Sequence, residues 1–165
     1  MKVFVVVLAV LATGCSSAAN VASQHPGGAQ ALTARIVLPS RTMTAGSTLK
    51  GRVVVRNNTG RAIDTIGCGT LFIIALTSSS YHPDVPWLTC LQRFTIPVGV
   101  SSFRITVAAT YLACGDHQSP ACLPGGGMPP LPAGTYRARL FQRGHLIEHA
   151  PTTRVHVTAA ASAGG

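Results

Sequence analysis

Apolar and polar residues alternate along this chain in short runs, with turn-forming residues between them. Within Thr48–Arg56, Leu49, Gly51, Val53 and Val55 face one way and Lys50, Arg52, Val54 and Arg56 the other. Phe103, Ile105 and Val107 alternate with Ser102, Arg104 and Thr106. In Gly134–Gln142, Tyr136, Ala138 and Leu140 alternate with Arg137, Arg139 and Phe141, and near the end Val155 and Val157 alternate with Arg154 and His156. A period of two marks a strand with one buried face. Leu32–Leu38 and Leu91–Ile96 are further strand candidates, and Thr70–Thr77 is an apolar run of the kind found in a central strand covered on both sides. Asn57-Asn58-Thr59-Gly60, Pro97-Val98-Gly99 and Arg143-Gly144 read as turns. Seven or eight short strands between Leu32 and Thr158 predict an all-β domain, an antiparallel β-sandwich.

The start of the chain is different. Met1-Lys2 is a minimal positive segment, Val3 to Leu11 is apolar, and Ala12-Thr13-Gly14-Cys15 follows. This is the pattern of a secretory signal, shorter than the ~20 helical residues that span a bilayer. Leu11-Ala12-Thr13-Gly14-Cys15 resembles the lipobox of bacterial lipoproteins, with Ala12 in the slot where Leu is favoured. The resemblance implies diacylglyceryl transfer to the Cys15 thiol, cleavage before Cys15 and acylation of the new amine. It would place the protein on the outer side of a cell membrane. Each buried methylene adds ~0.8 kcal/mol, so several acyl chains anchor firmly. The alternative is cleavage after Ala19, at Ser17-Ala18-Ala19, which would leave a secreted protein without Cys15. The expected organisation is a signal over 1–14, a lipidated cysteine and tether over 15–31, a sandwich over 32–158 and a disordered small-residue tail over 159–165.

Four cysteines remain after Cys15: Cys68, Cys90, Cys114 and Cys122. An even count in an exported chain reads as two disulfides, with three connectivities open. Short loops close readily, which favours Cys114–Cys122 and hence Cys68–Cys90. No C-x-x-C pair supports a zinc site.

Charge adds a second theme. The chain has 13 Lys and Arg against four Asp and Glu, a formal net charge of +9. Arg dominates over Lys, with heavy Ala and Gly use, as in high-GC, actinobacterial-type coding sequences. Arg52, Arg56, Arg104, Arg137, Arg139, Arg143 and Arg154 are expected on the polar side of the strand alternations. Both outer faces of a sandwich would then carry arginine rows, suited to phosphate and carboxylate. Anionic envelope polymers, acidic lipids or another envelope protein are the expected partners. Aromatics do not interleave with these arginines, so nucleic acid is not among them.

Val53-Val54-Val55-Arg56-Asn57-Asn58-Thr59-Gly60, with Leu131-Pro132-Ala133-Gly134-Thr135-Tyr136 late in the chain, resembles bacterial immunoglobulin-like domains. The early turn and late strand also bear a looser likeness to bacterial sandwich domains of the intracellular proteinase-inhibitor type. The first resemblance implies an immunoglobulin-like sandwich over about 32–158. It departs from antibody domains, because Trp87 does not lie between two cysteines at their spacing. Thr110–Pro132 is a long connection, which is either a binding loop or a pinned link between sheets.

The catalytic patterns are thin. His145-Leu146-Ile147-Glu148-His149 fits H-x-x-E-H, but that zinc chemistry needs a helix, and Gly144 and Pro151 leave no room for one. Asp116, His117 and Ser119 share one loop, without the spatial convergence of a triad. No phosphate-binding glycine motif is present. Asn57-Asn58-Thr59 fits a glycosylation pattern but reads as the turn. The expectation is an exported, lipid-anchored, disulfide-stapled module without cofactor or metal, with a binding or scaffolding role. A protease-inhibitor-like or other protein-binding module acting through its long loops is the alternative.

Overall fold

The computed structural model describes residues 31–86, 90–143, 145–147 and 149–160, with the backbone alone at His145 and Leu146. The signal, Cys15, the tether up to residue 30, Trp87, Glu148 and the tail from residue 161 lie outside the described residues.

Ten strands are present: β1 (Leu32–Val37), β2 (Thr42–Thr44), β3 (Thr48–Asn57), β4 (Ile63–Gly67), β5 (Ile73–Thr77), β6 (Gln92–Ile96), β7 (Gly99–Ala108), β8 (Gly134–Gln142), β9 (His145–Leu146) and β10 (Thr153–Thr158). The described residues contain no helix. One sheet has the order β1-β3-β7 and the other β2-β10-β8-β5, with β9 beside β8. β4 and β6 form a separate pair. The pairings are antiparallel except that of β2 with β10. The chain therefore changes sheets between β1 and β2, across Pro39 and Ser40.

The core lies between the two main sheets. Val53, Val55, Ile105 and Val107 point inward from one, and Tyr136, Ala138, Leu140, Val155 and Val157 from the other. Each side of the alternation thus falls as its period predicts. Gly51 sits in the inward series because the chain leaving β1 comes close to it: a Cβ there would lie 2.6 Å from Leu38 Cδ2 and 2.9 Å from the Val37 carbonyl. Phe72 meets Phe103 edge-on across the sheets, with ring centroids 5.5 Å apart. The Tyr136 hydroxyl donates to the Pro132 carbonyl at 2.9 Å, so this inward tyrosine also fixes the corner at the start of β8.

Thr70–Thr77 departs from expectation. β5 ends its sheet rather than occupying the centre. It is nevertheless buried on both faces, Ile74 and Leu76 on one and Ala75 and Thr77 on the other. Burial of both faces made the run apolar, and hydrogen-bonded position in the sheet is a separate property that hydrophobicity does not report. Residues 70–72 precede the strand, with Leu71 and Phe72 already buried.

Asn57 closes one end of the sandwich. Its side chain is fully buried at the end of β3. The amide nitrogen donates to the Arg61 carbonyl at 2.8 Å and the Ile96 carbonyl at 3.2 Å. The amide oxygen accepts from Thr59 N at 3.0 Å and Thr59 Oγ1 at 2.7 Å. One side chain thus ties β3, the following turn and β6 together. An amide nitrogen so engaged is no glycan acceptor in the folded chain, which agrees with the turn reading.

Two disulfides join Cys68 to Cys90 and Cys114 to Cys122. The first clips the end of the β4–β6 pair, next to the Gly67–Gln92 partners. The second closes a short loop within the long connection. That connection is pinned at its base, where Tyr111 N donates to the Pro129 carbonyl and Leu131 N to the Ala109 carbonyl, each at 2.9 Å.

Two stability predictions follow from these features. Asn57→Ala orphans two carbonyls, one of them buried, and should lower unfolding free energy by about 2–3 kcal/mol in a denaturant titration. By the loop-entropy relation, breaking Cys68–Cys90 should cost about 3.4 kcal/mol and breaking Cys114–Cys122 about 2.6. Single Cys-pair-to-Ser variants measure both. Equal or reversed costs would show that loop closure does not set the ranking.

Candidate anion-binding faces

The inward register dictates what the outer faces carry. On the first sheet, Arg52 of β3 is the cross-strand partner of Arg104 of β7, and Val37 of β1 completes the row. Lys50 pairs with Thr106, Val54 with Arg35 and Ser102, and Arg56 with Thr33 and Val100. On the second sheet, Arg154 of β10 is the partner of Arg137 of β8, while Arg139 lies two residues along β8 on the same face. Like charges placed directly opposite destabilise a ladder by roughly 0.2–1 kcal/mol. This fold has two such pairs, one on each sheet.

Both pairs line concave surfaces. A groove of about 760 Å³ on the first sheet is lined by Lys50, Arg52 and Arg104 together with Leu38, Pro39 and Ile105. A groove of about 620 Å³ on the second is lined by Arg137, Arg139 and Arg154, with His82, His156 and several Ser and Thr hydroxyls. Among the described residues, no carboxylate lines either groove. His156 Nδ1 and Thr135 Oγ1 share a hydrogen bond of 3.0 Å at the rim of the second. The second groove has the higher density of donors suited to a phosphate or carboxylate.

The described acids are engaged elsewhere. Asp64 accepts from Thr95 Oγ1 at 2.7 Å, on the β4–β6 pair. Asp84 and Asp116 line a small hollow with Tyr81 and Ser119. Asp116 Oδ1 accepts from Ser119 Oγ at 2.6 Å and Gln118 N at 2.8 Å. The Ser119 hydroxyl, then the Gln118 amide, hold this carboxyl below the usual aspartate range. The lowered value means that any stabilisation from this carboxylate is present above the ordinary range and lost as pH falls through the lowered one. Nearby, Tyr81 meets Tyr111 edge-on at 4.9 Å and its oxygen accepts from Leu112 N. Burial pushes the Tyr81 hydroxyl up, so it stays a neutral anchor for the loop.

The catalytic patterns do not assemble. His117 Nε2 lies 3.1 Å from Gln118 Nε2, while Ser119 donates to Asp116, so the nucleophile-to-base bond of a triad is missing. His145 begins strand β9, paired with Gln142, and His149 lies in a turn. The helix that H-x-x-E-H chemistry requires is not formed there.

Of the seven arginines expected on the two outer faces, Arg52, Arg56 and Arg104 share one face and Arg137, Arg139 and Arg154 the other. Arg143 belongs to neither. It occupies the turn after β8 at φ 51° and lines a small hollow with Gly67 and Cys68. Lys50 and Arg35 join the first face, and the alternation of their own strands was the signal for both. No protein-family model matches this chain, and no curated protein matches it.

Removing a charge from an opposed pair should relieve repulsion. Arg154→Gln should raise unfolding free energy by about 0.2–1 kcal/mol at low salt, with the gain shrinking as salt is added. Loss of stability in that variant would mean that Arg137 and Arg154 are held by structural contacts rather than exposed to repulsion.

Proposed function

We propose that this chain is an exported, lipid-anchored envelope protein whose immunoglobulin-like sandwich holds an anionic envelope polymer without catalysing a reaction. The observation that carries the reading is the opposed Arg137–Arg154 pair, set with Arg139 in a groove that no described carboxylate lines. A folded protein keeps a mutually repelling cluster where a ligand of opposite charge repays it. The lipobox-like Leu11-Ala12-Thr13-Gly14-Cys15 supports the anchor. The two disulfides are compatible with an oxidising compartment. The tyrosine bonded back to Pro132 and the division of β1 and β2 between sheets support the immunoglobulin-like likeness. Arginine forks favour phosphate or carboxylate repeats.

A second reading has its own observation. Leu123 and Met128 are exposed on the long connection, which the Cys114–Cys122 bridge shapes. That is the form of a loop that docks another protein, as in the protease-inhibitor-like alternative.

Affinity for a polyphosphate or acidic glycan chain should fall steeply between 50 and 500 mM salt. Arg137→Gln/Arg154→Gln should reduce it by tenfold or more at the lower salt concentration. Binding that ignores both salt and these substitutions would favour the loop reading.

A further inference from the structure

The end of the sandwich at which the chain enters from residue 31 carries three of the six exposed large hydrophobic side chains among the described residues. Leu32, the first residue of β1, is 42% exposed. Its cross-strand partner is Asn57, whose partner on the far side is Gly99. Beside Gly99 stand Val98 at 54% and Val100 at 67% exposure. Arg56 shares a row with Val100, and the exposed Arg61 closes the turn that Asn57 holds. The Asn58 N–H donates to the Ala31 carbonyl at 2.7 Å, fastening the incoming chain to that same turn. Three exposed aliphatic side chains and two arginines therefore stand at this end of the first sheet, Leu32 in its inward row and Val100 with Arg56 in its outward row. Asp64, near the start of β4, is engaged by Thr95.

We infer that this end is a lipid-facing surface, which seats the domain on an anionic bilayer with Val98 and Val100 at the headgroup boundary and Arg56 and Arg61 on the phosphates. The inference rests on the anchoring reading given above. The chain between Cys15 and Leu32 spans at most about 60 Å at 3.3–3.6 Å per residue. An acyl group at Cys15 would hold this end within that distance of the membrane. Short linkage raises effective concentration toward the millimolar range, so a weak surface affinity suffices. Aliphatic burial combined with arginine–phosphate attraction is the chemistry of interfacial binding. A protein partner for the patch would need no such coincidence with the entry point of the chain. In this orientation the base of the long connection, beyond the ten residues of β3, stands about 30 Å above the bilayer.

The test places a tryptophan at the patch. The native processed chain bearing Val98→Trp is mixed with vesicles of phosphatidylcholine containing phosphatidylglycerol, with and without brominated acyl chains. Trp87 is the sole native tryptophan and contributes a constant background. The emission added by Val98→Trp should fall by half or more on brominated vesicles, while that added by Leu123→Trp should not. Adding Arg56→Gln/Arg61→Gln should cut the quenching at least twofold, and Arg137→Gln/Arg154→Gln should leave it unchanged. Equal quenching at positions 98 and 123, or none at 98, overturns the inference. Melting temperature checks that each variant folds, and Val98→Thr/Val100→Thr supplies a near-isosteric pair that should weaken vesicle binding without a new tryptophan. The intact mass of the same preparation reads acylation at Cys15 separately. Quenching without acylation would overturn the anchor and keep the surface, and acylation without quenching would do the reverse.

Discussion

Register governs this molecule. Val53, Val55, Ile105 and Val107 on one sheet, with Tyr136, Ala138, Leu140, Val155 and Val157 on the other, must face inward together. A slip of one residue in either ladder would bury arginines and expose the core. The burial requirement therefore also fixes what stands outside. Arg52 must face Arg104, and Arg137 must face Arg154, because their neighbours cannot turn. The repulsion is small beside the burial of the core side chains, at roughly 1.5–3 kcal/mol for each large aliphatic group. The fold tolerates the arginine pairs without being shaped by them.

The ends of the sandwich are secured by different means. At one end a buried amide, Asn57, satisfies backbone groups that a sheet terminus would otherwise leave unpaired. At the other, Tyr81, Tyr111 and the Cys114–Cys122 bridge organise a connection that the sheets do not reach. The charge distribution follows the same division. Asp84 and Asp116 lie by the tyrosine-held loops, while the concave sheet faces have arginines and, among the described residues, no carboxylate. The two arginine-lined grooves, the proposed lipid-facing end and the exposed loop thus have no lining residue in common.

Strands with a solvent face were legible in the sequence, because alternation reports burial directly. Gly134–Gln142 matches β8, and Thr48–Arg56 matches β3 to within one residue. β2 and β4 were not visible: Thr42–Thr44 is too short for a period, and Ile63–Gly67 buries only its last residue. β5 was found but misplaced, since an apolar run reports coverage and not sheet order. The arginine faces were legible, with Lys50 on the polar side of β3, apart from Arg35, which was not singled out, and Arg143, which sits in the turn after β8. The shared position of Leu32, Val98 and Val100 at one end was not, because only the β1-β3-β7 ladder brings the start of β1 level with the start of β7. The cysteine pairing followed the shortest-loop argument, although two other connectivities were open.

The central claim is that the sheet faces, and not the loops, hold an anionic ligand. Amide hydrogen exchange with and without a polyphosphate or acidic glycan chain tests it most directly. Added protection is expected at the outer-face rows of β8 and β10, around 135–139 and 153–156, with a weaker effect around Arg52 and Arg104. Protection confined to 110–132, with β8 and β10 unchanged, would contradict it.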